Sequence, residues 1–264
     1  MQASVLGLDV ATEGPFSNKY KGSYLVNYRY STLSILENLG LQLGGANTNF
    51  QDLSYNIYLP SKKFGSFSLF GFGGLSRQHY DAEKDSTKWI EDFDRDNWNF
   101  ISNTVAAGLK HGYILNERLL LQSSLVFSGN KNGYEEERLN DDYEPEFQND
   151  YSIENKKIMA SATLSYKANA RLHSKSGVYF NQIYFDVRSK YLDEEENRII
   201  EDFGSEGNMQ TVQAFSQWSY KATQKLTLNG GLHTLYLALN NSYSVEPRVS
   251  AQYQLNAKNT FAFG

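Results

Sequence analysis

The 264-residue chain carries 25 Lys and Arg against 30 Asp and Glu, a formal net charge of −5, and no cysteine. This excludes a disulfide framework and any Cys-based metal or redox centre, and no basic cluster longer than Lys62-Lys63 or Lys156-Lys157 is present to attract nucleic acid. Aromatic residues make up 14% and glycine fills 20 positions, yet mean hydropathy is −0.55, a combination that points to an all-β chain rather than a Leu/Ile/Val-cored globule.

Along the chain the dominant signal is alternation with period two. Tyr24, Val26, Tyr28 and Tyr30 alternate with Ser23, Asn27, Arg29 and Ser31, and Leu53, Tyr55, Ile57 and Leu59 with Asp52, Ser54 and Asn56. Segments 65–80, 97–113, 171–190 and 207–221 read as strands of about 10 to 15 residues, longer than the 5 to 6 usual in globular proteins. Between 157 and 167, Ile158, Ala160, Ala162, Leu164 and Tyr166 oppose Lys157, Ser161, Thr163, Ser165 and Lys167. Between 244 and 255, Val245, Pro247, Val249, Ala251, Tyr253 and Leu255 oppose Ser244, Glu246, Arg248, Ser250, Gln252 and Gln254. About 12 strands are expected, the last from Thr260 to Gly264.

Short polar turns are expected near 17–19, 61–63, 116–117, 169–170, 223–224 and 256–258, with long polar loops at 36–48, 81–96, 130–150 and 191–206. Regular alternation of short and long connections predicts an antiparallel up-and-down transmembrane barrel, with turns at one rim and loops at the other. Trp98, Phe100, Tyr166, Trp218, Tyr220 and Tyr253 lie close to strand ends, where an interfacial aromatic girdle is expected. No run approaches the roughly 18 apolar residues of a membrane helix.

No motif points to chemistry. Gly71-Phe72-Gly73-Gly74 fails the nucleotide-loop pattern at Ser76 and reads as a strand whose small residues permit close packing. The acidic clusters at 81–96, 135–146 and 193–202 lack calcium-loop spacing and read as solvated loops. His79, His111, His173 and His233 are scattered, and only His79 sits at the long-loop end. No catalytic, cofactor-binding or metal-binding residue is expected, and none is assigned to substrate. Arg29, Glu246 and Arg248 are expected to point away from lipid, because a charge on the lipid face near midplane costs about 2–4 kcal/mol.

The segments Glu13-Gly14-Pro15-Phe16, Tyr28-Arg29-Tyr30-Ser31, 49–56 (NFQDLSYN), 71–76 (GFGGLS) and Glu246-Pro247-Arg248 resemble, in that order, the barrel of TonB-dependent outer-membrane receptors of the Bacteroidota type. Such receptors often carry a carboxypeptidase-like regulatory domain ahead of a plug. The resemblance covers nearly all of residues 1–264 and implies an interior segment of a 22-stranded barrel, without plug, signal peptide or closing strand. It further implies residence in the outer membrane and import of a scarce or large nutrient. The partners implied are outer-membrane lipids, the TonB complex acting through the plug, and in some members a surface lipoprotein. A complete porin-like channel of about 12 strands and a soluble secreted β-rich binding module are the competing expectations.

Overall fold

The computed structural model describes residues 2–3, 7–31, 33 and 47–264. Among them every extended strand joins one antiparallel sheet in which spatial order equals chain order, a meander from β1 to β13. The strands are β1 (Gln2–Ala3), β2 (Gly7–Ser17), β3 (Tyr20–Ser31), β4 (Asn47–Ser61), β5 (Gly65–Tyr80), β6 (Asp96–Asn116) and β7 (Leu119–Leu139). They continue with β8 (Pro145–Lys167), β9 (Leu172–Asp193), β10 (Arg198–Lys221), β11 (Leu226–Leu237), β12 (Ser242–Gln254) and β13 (Thr260–Phe263). Setting aside the two-residue β1, twelve strands remain, as the alternation predicts.

The expected turns close the hairpins at one end through short side-chain-to-backbone bonds. Asn169 Oδ1 accepts from the Arg171 and Leu172 amides at 2.8 and 3.0 Å, and Asn256 Oδ1 from those of Lys258 and Asn259, both at 2.9 Å. Gly65 turns β4 into β5 with φ of 79°, a backbone state that a side chain resists, and a Cβ there would sit 2.2 Å from the Gly112 carbonyl oxygen.

At the other end two expectations need correction. Residues 130–150 and 191–206 are not long loops: β7 and β8 continue to a tight turn at 140–144, and β9 and β10 to one at 194–197. The 81–96 connection is a true loop with two short 3-10 turns, Ser86–Lys88 and Asp92–Arg95. Of the loop expected at 36–48, Asn47 and Thr48 already belong to β4, and 36–46 lie outside the described residues.

Register aligns the side chains into rows. One row runs through Gly14, Tyr24, Ile57, Leu69, Leu109, Leu125, Ala160, Phe180, Val212, Tyr236 and Tyr243, crossing β2 to β12 without a charge. The row on the opposite face runs through Tyr58, Ser68, Lys110, Ser124, Ser161, Tyr179 and Gln213. The sheet therefore has an apolar and a polar face. On the apolar face, segments 67–75, 105–113, 119–127, 158–166, 172–180 and 212–220 carry no charged residue, and each is nine residues long. A tilted strand needs about 9–11 residues to cross a bilayer.

Several polar groups within this belt bond locally. The Ser176 and Ser216 hydroxyls bond each other at 2.9 Å, and Trp218 Nε1 donates to Ser216 Oγ at 2.9 Å. Near the turn end, His111 Nε2 lies 2.8 Å from the Phe64 carbonyl oxygen while its ring stacks on Phe67. Gly71 lies under the Tyr55 ring, where a Cβ would come within 2.7 Å, so its missing side chain makes room for an aromatic neighbour. Among the described residues only Ala82 and Leu139 are buried hydrophobics, while Leu125 is 57% and Val249 78% exposed. Among the described residues the strands form a single sheet whose apolar belt is exposed, whereas the apolar faces of a sandwich meet in a shared core.

Candidate functional site

Beyond the belt β7 to β10 continue for about twelve to fourteen residues, or about 40 Å along each strand. Here polar side chains occupy both faces. Arg77, Asn103, Lys131, Lys156, Gln182 and Gln210 are among the first residues past the belt on its apolar side.

The polar face at this end carries an aromatic ladder assembled from three strands. Tyr80 (β5) stacks on Trp98 (β6) with centroids 6.1 Å apart and planes 13° apart, and Trp98 meets Tyr134 (β7) at 6.3 Å. Phe100 lies on the same face, paired with Gln78 and Tyr134. This corrects the girdle expectation for Trp98 and Phe100: on β6 the apolar face takes odd-numbered residues, and both of these are even. Tyr166, Trp218, Tyr220 and Tyr253 do lie on the apolar face, toward the turns. Burial, reinforced by the Glu136 carboxylate, pushes the Tyr134 phenol up to about 12.

Beside the ladder, Arg138 grips Asp96 in a two-pronged ion pair, Nε to Oδ1 at 2.7 Å and Nη2 to Oδ2 at 3.2 Å, with Asp96 only 4% exposed. The 81–95 loop is latched over this end by side chains from its own turns. Asp94 Oδ2 accepts from the Ile90 and Glu91 amides at 2.8 and 2.9 Å, and the Glu91 amide is the larger cause holding its carboxyl below the ordinary 3.8. Asp85 is lowered likewise, first by the Thr87 hydroxyl and then by the Thr87 amide. Trp89 Nε1 donates to the Glu83 carbonyl at 2.7 Å, and the Arg95 guanidinium lies 4.7 Å from the Trp89 ring centre. Arg95 also donates to the Leu139 carbonyl at 2.9 and 2.6 Å, and Tyr143 OH to Ser86 Oγ at 2.8 Å, tying the loop to the β7–β8 turn.

A cleft of about 740 Å³ opens among these elements. It lies on the face opposite the ladder, where the row Asn47, His79, Asn99, Glu135 and Asp150 and the neighbouring Arg77 continue the apolar side past the belt. Its amides and carboxylates suit a polar ligand held by hydrogen bonds. Sequence reading placed His79 at this end but left the cleft undiscovered, because its walls come from five segments of the chain. For the ladder, by contrast, the even-numbered aromatics 80, 98, 100 and 134 were the available signal.

The three charges expected to avoid lipid all lie on the polar face, each in a local network. Arg29 Nε donates to Asp52 Oδ2 at 2.8 Å across β3 and β4, with its guanidinium 5.3 Å from the Phe50 ring centre. Arg248 Nη2 donates to Glu246 Oε2 at 2.7 Å, and His233 Nδ1 lies 3.4 Å from the same oxygen. His233 and Arg248 edge a second hollow of about 550 Å³, walled by stacked Tyr179 and Phe215 and deepened by Gly231. His111 and His173 fall toward the turn end.

No protein-family model matches the sequence, and a search of curated proteins finds no relative. Solved structures do match. The outer-membrane transporter YddB from Escherichia coli superposes with a TM-score of 0.64 at 9% identity, over 94% of this chain and 36% of that one. BauA, the ferric preacinetobactin receptor from Acinetobacter baumannii, gives 0.64 at 9% over 96% and 44%. The copper transporter OprC gives 0.55 at 9% over 96% and 42%. The architecture is thus that of a partial outer-membrane transporter barrel, and the chain spans well under half the length of each of these structures.

Proposed function

We propose that residues 1–264 form part of the wall of an outer-membrane TonB-dependent receptor, of the Bacteroidota type, that imports a scarce or large nutrient. The single observation that carries this reading is the uncharged row across eleven strands, backed by a polar face. That division suits a wall with lipid outside and an aqueous or protein-filled lumen inside. Likeness to receptors and transporters for metal-bearing cargo supports an import role. In this reading the short turns face the periplasm, while the 81–95 loop and the long hairpins face outward. The aromatic ladder takes first contact with cargo, and the Arg29–Asp52 and Glu246–Arg248 networks brace the lumen wall or meet a plug.

Because the chain lacks cysteine, single cysteines test the arrangement directly. In cells making the full-length protein, cysteine at Ile90 or Asp142 is expected to react with a membrane-impermeant maleimide, and cysteine at Asn169 only after permeabilisation. Equal labelling of all three in intact cells would sink the proposed topology. Import is tested by uptake with and without a functional TonB; cargo entry that persists without TonB would favour a plain diffusion channel.

A further inference from the structure

Where the belt ends on the apolar face, the surface is notched. A groove of about 170 Å³ crosses β5 to β8, with Leu75, Val105 and Phe127 as its walls. Its floor is Gly129, where a Cβ would meet the Asn155 carbonyl oxygen at 3.5 Å and Phe127 and Val105 at 3.7 Å, so the space over it is real and unfilled. At its charged end stand Lys131 and Lys156. They are diagonal neighbours on β7 and β8, since Lys131 pairs with Glu154 and Lys156 with Gly129 in register. Such diagonals lie about 7–8 Å apart at the backbone, within reach of one small anion for side chains this long. Glu154 engages Lys156 at 2.5 Å, leaving Lys131 with no ion-pair partner among the described residues.

We infer that this notch is a lipid site: it takes one acyl chain of a membrane lipid over Gly129 and that lipid's anionic phosphate headgroup between Lys131 and Lys156. Three features select this occupant. The groove opens toward the surface read here as lipid-facing, its walls are apolar, and its cations stand at the depth where the uncharged belt gives way to polar residues. A lysine at such a boundary lays its methylenes along apolar surface and lifts its ammonium to the headgroups. The assignment rests on the membrane reading above.

The test is native mass spectrometry of the detergent-solubilised full-length protein, titrated with phosphatidylglycerol, phosphatidylcholine or inorganic phosphate. One phosphatidylglycerol adduct is expected in preference to phosphatidylcholine, with no retention of free phosphate. Lys131→Gln and Lys156→Gln should each weaken it about fivefold. Gly129→Val, which fills the floor without touching charge, should weaken both lipids alike. Wild-type-like adducts in all three variants, each shown folded by heat-modifiable migration, would overturn the lipid site alone. Protein that folds and stays soluble without detergent would overturn the membrane reading with it.

Discussion

At the residue scale, medium rather than contact decides most outcomes, because few side chains are buried by protein. Leu125 lies mid-row on the apolar face and Ser124 beside it on the polar face, so lysine at the two positions should behave oppositely. Leu125→Lys is expected to cost about 2–4 kcal/mol, and Ser124→Lys less than about 0.5 kcal/mol, read as urea midpoints of detergent-refolded full-length protein. Similar midpoints for the two would remove the basis for a lipid-facing side. Asp96 is the exception, a carboxylate buried against Arg138. Asp96→Ala should cost about 1–3 kcal/mol and raise amide exchange at 96–99 and 136–139, since a charge-assisted bond is lost from a nearly dry site. The Asp85 and Asp94 carboxyls lie below their ordinary value in the folded loop, so their turns are complete above pH 3.8 and are lost as pH falls through the lowered values. Trp89 fluorescence should report that opening below pH 3.8, and Asp94→Asn should blunt it.

At the element scale, much of the strand pattern is legible in the sequence. Tyr24 to Tyr30, Leu53 to Leu59 and Ile158 to Tyr166 turn apolar residues to one face of the sheet and polar residues to the other, and that contrast writes period two into the chain. Above the belt both faces of β7 to β10 meet polar surroundings, and the contrast vanishes. Runs such as Glu135-Glu136-Glu137 and Asp193-Glu194-Glu195-Glu196 then look like loops, although the first is paired strand and only the second reaches a turn. Cross-strand hydrogen bonding carries the ladder onward once the belt has fixed the register. The 81–95 loop and the β7–β8 turn behave as one unit through Tyr143, which holds a φ of 64° while its ring meets Trp89 at 5.6 Å. Tyr143→Ala should therefore speed limited proteolysis within 81–95 while leaving cleavage at the opposite turns unchanged.

At the scale of the whole molecule, the proposed mouth should be needed for capture but not for folding. Trp98→Ala and Tyr134→Ala are expected to lower cargo uptake by the full-length receptor at least tenfold while leaving heat-modifiable migration intact; unchanged uptake would remove the ladder from the site. The sequence by itself determined the all-β class, the turns near 17–19, 61–63 and 169–170, the direction of Arg29, Glu246 and Arg248, and the absence of any familiar catalytic motif. Each is written locally, in the parity of neighbours or in the identity of turn residues. Only the tertiary structure decided what pairing across the sheet creates. It set Tyr80, Trp98 and Tyr134 in one ladder, Asp96 against Arg138, and Lys131 beside Lys156 over Gly129. The physical reason is that register is a relation between strands: it gathers residues from distant segments onto one face, and no single stretch of sequence contains it.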